Sequence, residues 1–408
     1  MKNALFTLAL CALLSSPVFA RAGEPLTLVL ATDLHYIAPS LTDNGAYFTR
    51  MVQSADGKVM THIETILDAF AHEMILMQPD ALILSGDLTF NGAKASHEAL
   101  AEKLERIADA GVPVCVLPGN HDLYARNAAR FHGDSYTLVD SITVSGFETI
   151  YRRFGFNAAI ARDEHSLSYA ARIAPDLRLL LIDGNTKDAP GGVTANTLAF
   201  VRDQLAQARA DGERVIAVTH QNLLQHNPLF ASGFVIENRE ALLSLLQSAD
   251  VRLSLSGHMH TQHVKHEGGL TEIATSALSV SPNQFGVLTV TAEGVSYKTQ
   301  ALPVAAYAAA QGINDPQLLD FPAFSETFFK QTTLRQAASL FEGAAEASLL
   351  GQYLADVNAC YFSGRMDLAP QNPALFDRWK QEGAFFSTYL ESIFAEPPAD
   401  HTRAYIAF

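Results

Sequence analysis

Apolar, β-branched runs of strand length alternate along this chain with segments whose apolar residues recur every three or four positions. Buried strands of parallel sheets are typically near-continuous apolar runs of this kind. The runs lie at residues 26–32, 81–85, 112–117, 177–182, 215–219 and 251–256. Helical spacing occurs at Ile63, Ile66, Leu67, Phe70, Met74 and Met77, and again at Leu100, Leu104 and Ile107. The alternation predicts an α/β fold with largely parallel strand pairing.

The pattern changes toward the C-terminus. Residues 270–274, 286–291 and 295–301 predict antiparallel strands that finish a second sheet, and the latter two are joined at Glu293-Gly294. After Pro303, an Ala-rich linker leads into a stretch without a convincing strand pattern. Helical spacing returns there in Phe324 with Phe328, Leu350 with Leu354, Val357 and Tyr361, and Phe386 with Leu390 and Ile393. These patterns predict a main domain at residues 21–302 and a small α-helical domain at residues 303–408.

Residues 1–20 have the pattern of a secretory signal peptide. Lys2 precedes an uncharged apolar run, and the segment ends in the small-residue site Val18-Phe19-Ala20. Such segments are cleaved during export. A membrane anchor would need about 20 apolar residues, and the run here is shorter. We therefore expect an exported protein, periplasmic or secreted, with no stable membrane insertion after signal cleavage.

The net charge narrows the class of partner. The formal charge is −15 at pH 7, and cleavage of the signal peptide removes one lysine and no acid, which makes it −16. Because phosphate backbones are bound by clustered lysine and arginine, this charge argues against a nucleic-acid polymer as partner. A small phosphorylated substrate, such as a nucleotide, remains compatible with it, since bound metal ions supply positive charge locally.

Two cysteines, Cys115 and Cys360, follow the signal peptide. Export to an oxidising compartment would permit a disulfide between them. Cys115 lies within the apolar run 112–117, however, where a cysteine behaves as a small buried hydrophobic residue. We therefore expect free thiols rather than a bridge.

Polar motifs follow directly after several of the predicted strands. In chain order they are Asp33-Leu34-His35, Gly86-Asp87, Gly119-Asn120-His121-Asp122, His220 and Gly257-His258-Met259-His260. Each motif alone is more typical of a turn, a helix cap or a buried histidine. Ligands of open α/β sheets bind beyond the carboxyl ends of strands, so these motifs are expected to converge. The glycines at 86, 119 and 257 would permit sharp chain exits. Together the motifs predict a metal site.

This order of motifs resembles the calcineurin-like metallophosphoesterase family, whose pattern is Asp-x-His, Gly-Asp, Gly-Asn-His-Asp or Glu, His, and Gly-His-x-His. Every block is matched without substitution, and the resemblance covers about residues 26–300. It implies a two-sheet sandwich flanked by helices (αββα), with a dinuclear metal centre at the strand ends. It implies that the first metal is bound by Asp33, His35, Asp87 and His260. It implies that the second metal is bound by Asp87, Asn120, His220 and His258, so that Asp87 is shared.

The chemistry of these side chains supports the same division. Mixed carboxylate, amide and imidazole ligands suit Mn, Fe or Zn better than Mg, which prefers oxygen. Two such ions clamp a phosphoryl group and lower the pKa of a bound water, so that a metal-bound hydroxide attacks phosphorus. By the resemblance, His121 faces the substrate, where it would protonate the leaving oxygen or stabilise its charge. Asp122 would fix the orientation of the His121 imidazole.

The sequence determines the substrate less well than the reaction. The resemblance extends, less specifically, to bacterial phosphodiesterases of the cyclic-nucleotide type that carry a C-terminal helical domain. We therefore expect hydrolysis of a phosphodiester, such as a 2′,3′- or 3′,5′-cyclic nucleotide. The alternatives are a phosphomonoesterase or nucleotidase on the same site, and a non-catalytic metal-binding or scaffolding protein. A metallo-β-lactamase-type site at His258, His260 and His263 is disfavoured, because Gln262 stands where that pattern needs aspartate.

Several residues outside the motifs are candidates for lining a pocket. They are the segment 39–56 and the side chains of Gln221, Asn222, His226 and Asn227. For His226, contact with a phosphate or base and exposure in a loop are equally compatible with the sequence. In the C-terminal region, Arg365 would reach over the site, whereas Tyr361 is expected to pack in a core.

Overall fold

The computed structural model describes residues 24–338, 346–382 and 385–408. The predicted signal peptide, residues 1–20, lies outside the described residues. Within these ranges, no helix combines the length and the apolar character that are needed to cross a bilayer.

Each of the six apolar runs forms a strand whose ends lie within two residues of that run. In chain order, the described strands are β1 (Leu26–Ala31), β2 (Ala81–Ser85), β3 (Val114–Leu117), β4 (Ala129–His132), β5 (Ser135–Leu138), β6 (Ala161–Arg162), β7 (Tyr169–Ala174), β8 (Leu177–Leu181), β9 (Asn185–Thr186), β10 (Ala189–Pro190), β11 (Arg214–Val218), β12 (Leu253–Ser256), β13 (His263–Glu267), β14 (Leu270–Ala274), β15 (Gln284–Val290), β16 (Gly294–Ala301) and β17 (Arg403–Ala407). The strands that the six runs form are β1, β2, β3, β8, β11 and β12.

The helices bury the faces that the apolar spacing predicts. In α2, for example, Ile63, Ile66 and Phe70 are buried on one side of the helix. In chain order, the described α-helices are α1 (Ala46–Ser54), α2 (Ile63–Met77), α3 (Lys94–Asp109), α4 (Val144–Ile150), α5 (Ala195–Asp211), α6 (Arg239–Ser248), α7 (Val304–Ala310), α8 (Pro316–Leu319), α9 (Phe321–Ala338), α10 (Ala347–Ser363), α11 (Pro373–Glu382) and α12 (Phe385–Ile393).

Two sheets form the centre of the molecule. The first has the strand order β17-β16-β15-β1-β2-β3, and the second has the order β13-β14-β12-β11-β8-β7-β6. Strands β1, β2 and β3 are parallel neighbours, and so are β8, β11, β12 and β14. The predicted α/β class with parallel pairing is therefore confirmed for the central strands of both sheets.

The expected arrangement of the strands after the last motif is corrected. β15 pairs antiparallel with β1, with Leu288 opposite Leu28, so β15 and β16 extend the first sheet. β14 lies in the second sheet, but it pairs parallel with β12 and antiparallel only with β13. The side chains of β15 are compatible with this position, since all but Thr289 are buried. Strands of a sheet that is covered on both faces show near-continuous burial of this kind.

The two sheets pack face to face, with helices against them. Leu179 and Leu181 of β8 lie in the main core, whereas Leu180 lies in a second cluster. This alternation is expected, because successive side chains of a strand point to opposite faces. The second cluster joins the second sheet to α5 and α6, and α2 and α3 pack with the residues of the first sheet. The expected two-sheet sandwich flanked by helices is therefore confirmed.

The C-terminal region folds mainly into helices that share a core of their own. Trp379 of α11 is fully buried there, and Leu354 of α10 and Leu390 of α12 belong to the same cluster. The helices that the apolar spacing predicts near Phe324, Leu350 and Phe386 are α9, α10 and α12, and the expected helical region is confirmed.

One strand contradicts the expectation that no strand follows Pro303. β17 leaves the helical region and pairs antiparallel with β16 at the edge of the first sheet. The segment carries little strand signal, because only Ile406 of its residues is buried. Residues 403–407 therefore belong structurally to the sheet of the main domain.

Both cysteines are free, as expected. Cys115 is buried and Cys360 is partly buried. Burial raises the pKa of the Cys115 thiol to about 12. A thiol with so high a pKa is unreactive, and Cys115 therefore acts as a core hydrophobic residue.

Candidate metal centre

The candidate ligands come from the carboxyl ends of strands in both sheets. They are Asp33, Asp87 and Asn120 after β1, β2 and β3, and His220 and His258 after β11 and β12. The tails of β1 and β2 remain paired beyond the strands, because the Asp33 amide donates to the Gly86 carbonyl at 3.1 Å and the His35 amide donates to the Asp87 carbonyl at 2.9 Å. Because β1 and β2 are parallel neighbours, the first two motifs lie at the same edge of the first sheet.

The backbone of the ligands is left-handed at several positions. Positive φ angles between 46° and 69° occur at Asp33, His35, Asp87, His258 and His260. A left-handed conformation costs a non-glycine residue about 1 kcal/mol or more, although Asp and His tolerate it better than most residues. Strain of this kind collects at functional sites, where the surrounding structure enforces it.

Close approach of the chain explains two of the motif glycines. A Cβ atom at Gly257 would lie 1.9 Å from Oγ1 of Thr32, and one at Gly119 would lie 2.1 Å from Oδ1 of Asp87. Only Gly86 has a positive φ, at 99°. The expectation that all these glycines permit sharp exits is therefore corrected, because Gly119 and Gly257 allow the tails of β3 and β12 to touch the first two motifs.

The first ligand group consists of Asp33, His35, Asp87 and His260, whose ligand atoms all lie within 4.8 Å of one another. Asp33 is aligned by its Oδ2, which accepts hydrogen bonds from the Thr32 hydroxyl and the His258 amide. Its Oδ1 is buried without a donor and lies 3.2 Å from Nε2 of His260 and 3.7 Å from Nε2 of His35. Nε2 of His35 and Nε2 of His260 are 3.1 Å apart.

Asp87 lies between the two ligand groups. Its Oδ1 accepts a hydrogen bond from the His121 amide at 2.8 Å and lies 3.3 Å from Nε2 of His220. Its Oδ2 is buried without a donor and lies 3.9 Å from Nε2 of His35. The two oxygens of one carboxylate therefore face different groups.

The second ligand group consists of Asp87, His220 and His258, again with ligand atoms within 4.8 Å of one another. Nδ1 of His220 donates to the Ser85 carbonyl at 2.9 Å, which leaves Nε2 facing Oδ1 of Asn120 at 3.0 Å. Nε2 of His258 donates to the Gly233 carbonyl at 2.8 Å. His258 is therefore left with Nδ1 as its free ligand atom.

The electrostatics of the two groups favour a cation. Burial alone would lower the pKa of a histidine. Against that effect, Asp87 raises the pKa of His220 to about 9. Asp33 does the same for His260, whose pKa also rises to about 9. Burial opposes the charge of Asp33 and Asp87 as well, yet the neighbouring imidazoles hold the pKa of both carboxyls below the ordinary value.

The residues therefore fit a metal pair on two grounds. A buried carboxylate oxygen without a donor is costly unless a cation binds it, and both Asp33 and Asp87 have one. The donor set of carboxylate, amide and imidazole is also that of transition-metal sites. Metal ions would replace the protons on His220 and His260.

His121 stands beside the ligand groups and not in them. Its side chain is 38% exposed, and its Nε2 lies 3.9 Å from Oδ2 of Asp87. Its Nδ1 donates to the Phe90 carbonyl at 2.8 Å. The carbonyl orients the ring, so that Nε2 is the nitrogen available to a substrate.

Asp122 does not orient the His121 ring, contrary to the expectation. Its carboxylate accepts hydrogen bonds from amides of the loops after β2 and β3, including those of Leu88 and Gly119. Burial raises the pKa of Asp122 to about 6. Among the hydrogen bonds of the described residues, none joins it to the imidazole. Asp122 ties the two loops together, and the Phe90 carbonyl takes the orienting role.

Gln221 and Asn222 are buried and paired inside the protein, contrary to the expectation that they line a pocket. The Gln221 side chain exchanges hydrogen bonds with that of Asn185. Asn222 donates to the Gly257 carbonyl at 3.2 Å. These contacts hold the loop after β11 against its neighbours.

His226 is buried rather than exposed in a loop, and both of its ring nitrogens face protein side chains. Its Nδ1 lies 2.9 Å from Nδ1 of His263, and its Nε2 lies 3.2 Å from the Glu272 carboxylate. Asn227 donates to the Tyr361 hydroxyl at 3.1 Å. Tyr361 packs in the C-terminal core, as expected. His263 is thus engaged with His226, which removes the residue that a metallo-β-lactamase-type site would need.

The remaining pocket candidates have different outcomes. Arg365 pairs with Asp367 at 2.9 Å and with Asp400 at 3.8 Å, so it is engaged within the C-terminal region. The segment 39–56 does reach the centre, because Oδ2 of Asp56 lies 2.9 Å from Nδ1 of His260. Burial opposes the charge of Asp56, but the pKa of its carboxyl stays well below the ordinary value because of nearby Lys58 and His260.

Three contacts of the centre escape reasoning from the sequence. They are the Asp56 carboxylate, the Phe90 carbonyl, and the ring of Phe234, whose centroid lies 5.4 Å from that of His258. The only signal for any of them is the position of Asp56 at the end of the segment 39–56. A backbone carbonyl leaves no side-chain signature at all.

Two family descriptions match the chain. "Calcineurin-like phosphoesterase" matches residues 26–262, and "C-terminal domain of cyclic nucleotide phosphodiesterase" matches residues 303–400. The sandwich, the ligand groups at its strand ends and these matches define a metallophosphoesterase, a hydrolase of phosphoric esters. More specifically, the chain belongs to the calcineurin-like phosphoesterase family, which is dimetal-dependent.

Curated relatives match about half of the chain. A "Probable cyclic nucleotide phosphodiesterase" of Psychrobacter arcticus is 22% identical over 224 residues, which cover 53% of this chain and 71% of that protein. Another protein of that name, from a Pseudoalteromonas species, is 29% identical over 209 residues, covering 50% of this chain and 64% of that protein. "Metallophosphoesterase 1" of Cricetulus griseus is 22% identical over 243 residues, covering 52% of this chain and 58% of that protein.

A solved structure shares the fold. A dimetal phosphatase from Danio rerio has a TM-score of 0.50 and 14% identity, and the match covers 68% of this chain and 97% of that chain. At this level of identity the similarity concerns the fold alone. It agrees with the two-sheet sandwich described above.

Proposed function

We propose that this chain is a two-metal phosphodiesterase that hydrolyses small phosphorylated substrates such as cyclic nucleotides. The observation that carries the proposal is the placement of the Asp87 carboxylate. Its Oδ1 faces His220 at 3.3 Å, and its Oδ2 faces His35 at 3.9 Å. A carboxylate that faces two ligand groups has the arrangement of a bridging ligand in a two-metal site.

The residues divide between two ions as the family pattern implies. The first ion would be held by Asp33, His35, Asp87 and His260, and the second by Asp87, Asn120, His220 and His258. The mixed donor set favours Mn, Fe or Zn. When bound, two such ions neutralise phosphoryl charge and acidify a water enough for it to act as the nucleophile near neutral pH.

His121 would handle the proton of the leaving group. In the hydrolysis, a water would release a proton to solvent as its oxygen bonds to phosphorus, while the bond from phosphorus to the leaving oxygen breaks and that oxygen takes up a proton. The Phe90 carbonyl occupies Nδ1 of His121, so a proton on Nε2 is the one that can pass to the leaving oxygen. Proton transfer of this kind contributes about 10²- to 10⁴-fold to the rate.

The choice of a phosphodiester rests on the C-terminal region and on the relatives. Residues 303–400 match a domain that is named for cyclic nucleotide phosphodiesterases, and relatives that match the main domain carry the same name. The acidic net charge of −15 disfavours polymeric nucleic acid and leaves small nucleotides as substrates. Export of the protein, which residues 1–20 predict, remains part of the proposal.

A substrate panel tests the proposal. The purified protein is supplied with Mn²⁺ and assayed at equal concentrations on a chromogenic phosphodiester, the matching phosphomonoester, and 2′,3′- and 3′,5′-cyclic nucleotides. We expect kcat/KM to be highest for a diester. Faster cleavage of the monoester than of every diester would replace the proposal with a phosphomonoesterase or nucleotidase.

A further inference from the structure

His260 is held by carboxylates on both ring nitrogens. Its Nε2 lies 3.2 Å from Oδ1 of Asp33, and its Nδ1 lies 2.9 Å from Oδ2 of Asp56. No motif of the family pattern includes Asp56. In the second ligand group, by contrast, His220 and His258 donate hydrogen bonds to backbone carbonyls, those of Ser85 and Gly233. Asp56 is therefore an unusual neighbour within this centre.

Asp56 is fixed from its own side by Lys58. The Lys58 ammonium lies 2.6 Å from Oδ2 of Asp56, and the Lys58 side chain is only 10% exposed. The backbone that follows is also tied to the centre, because the Val59 amide donates to the Ser279 carbonyl at 2.8 Å. The Ser279 hydroxyl in turn donates to the Asp33 carbonyl at 3.0 Å. The Asp56 loop and the first metal motif are thus held in register.

Helix α9 of the C-terminal region packs against the same loop. The Phe329 ring covers Gly57 so closely that a Cβ atom there would lie 2.5 Å from a ring carbon. Arg335 donates to the Gln53 carbonyl at 3.1 Å, and Gln336 donates to the Ala55 carbonyl at 3.1 Å. Helix α9 therefore contacts the residues on either side of Asp56 and holds them in place.

We propose that Asp56 is a positioning residue for His260, and that helix α9 of the C-terminal region holds Asp56 in place. A carboxylate that accepts the Nδ1 proton of a ligand histidine fixes its tautomer, leaves the Nε2 lone pair for the metal, and makes that nitrogen more basic. The C-terminal region would thus contribute to the affinity of the first metal site without touching a ligand. This inference rests on the proposed two-metal centre.

Metal titration tests the role of Asp56. Full-length wild type, Asp56→Ala and Asp56→Asn are stripped of metal and titrated with Mn²⁺ by calorimetry. Loss of a carboxylate that supports a ligand histidine typically costs 10- to 100-fold in metal affinity. We expect a loss of about that size at one of two sites in Asp56→Ala, with partial recovery in Asp56→Asn, which keeps a hydrogen-bond acceptor. Thermal unfolding of the stripped proteins checks that the variants fold.

Asp43→Ala is the matched control for charge, because Asp43 lies in the same segment, pairs with exposed His132 at 2.9 Å and belongs to neither ligand group. It should bind both ions like wild type. If folded Asp56→Ala bound both ions within twofold of wild type, Asp56 would be a structural partner of Lys58 only. If wild type itself bound no metal pair, the proposed function would fail as well.

The proposed role of α9 in holding Asp56 is tested by comparing two phenylalanines of that helix. Phe329 covers Gly57, whereas Phe328 packs against the main core. Phe329→Ala should weaken the same metal site as Asp56→Ala, by a smaller factor, and leave the other site unchanged. Phe328→Ala should change neither. Equal effects of both substitutions on metal affinity would overturn the role of α9.

Discussion

The two halves of the centre, which are the first and the second ligand group, hold their histidines in different ways. In the first half, the outer nitrogen of His260 faces a carboxylate, that of Asp56 at 2.9 Å. In the second half, the outer nitrogens of His220 and His258 donate to carbonyls, at 2.9 Å and 2.8 Å. A carbonyl fixes the direction of an imidazole, while a carboxylate fixes its direction and adds negative charge. On the proposed two-metal centre, we therefore expect the first half to bind its metal more tightly than the second.

The halves also differ in which imidazole nitrogen of each histidine faces the ligand group. His35 and His260 face the first half through Nε2, and His220 faces the second through Nε2. His258 is the exception, because the Gly233 carbonyl occupies its Nε2. Its geometry therefore depends on a loop outside the sheets. His260 is thus oriented by a side-chain carboxylate, whereas His220 and His258 are oriented by backbone carbonyls, and Nδ1 of His35 is buried without a partner.

The largest effect should follow from removing the ligand that the halves share. Asp87→Ala should lose both metal ions and reduce phosphoesterase activity to the detection limit, because neither half is complete without this carboxylate. Elemental analysis and turnover measure the two losses. Asp183→Asn is the control, since Asp183 is also buried but lies outside both ligand groups. Retention of one full equivalent of metal in Asp87→Ala would show that the halves are independent.

His121→Ala should have the next largest effect on turnover, and it should leave metal binding in both halves unchanged. Turnover should fall by about 10²- to 10⁴-fold, the usual contribution of a general acid, while metal content stays at the wild-type level. The control is His132→Ala, because the His132 side chain is 85% exposed and belongs to neither ligand group. Equal metal loss in His121→Ala and Asp87→Ala would refute the separation of proton transfer from metal binding.

The smallest effect concerns the difference between the halves themselves. Titration of the loaded wild-type protein with a chelator should release metal in two steps, with the later step at about 10- to 100-fold higher chelator concentration. The measurement is metal content against chelator concentration. Asp56→Ala should bring the two steps together, because it removes the charge that distinguishes the first half. A single step in the wild type would mean that carbonyl and carboxylate partners are equivalent here.

Local sequence patterns are sufficient for the buried central strands and for the ligands that follow them, but not for peripheral strands such as β17. The run 81–85 is buried at every position, and Asp87 stands directly behind it, so strand and ligand are visible within a few residues. The strand order is not visible in this way. β15 takes its place beside β1, far earlier in the chain, and no local pattern records which sheet accepts it.

The supporting contacts of the centre depend on tertiary structure in the same way. Asp56 is one of 43 acidic residues, and although it ends the candidate segment 39–56, the sequence does not show that it contacts His260. Asp122 stands next to His121, which makes it the natural candidate for a partner of that ring. Consecutive residues point in different directions, however. Asp122 accepts hydrogen bonds from loop amides, while the His121 ring donates to the Phe90 carbonyl.

The return of β17 to the first sheet changes how the C-terminal region is attached. Because β16 and β17 are adjacent antiparallel strands, residues 302–402 occupy the place of the loop in a β-hairpin. The two anchor points of this insertion are neighbouring strands, which lie about 4.8 Å apart. The region is therefore tethered at both ends, and breaking a single linker would not free it. A short turn between β16 and β17 would close the same hairpin, so the pairing of these two strands does not itself depend on the length of the insertion.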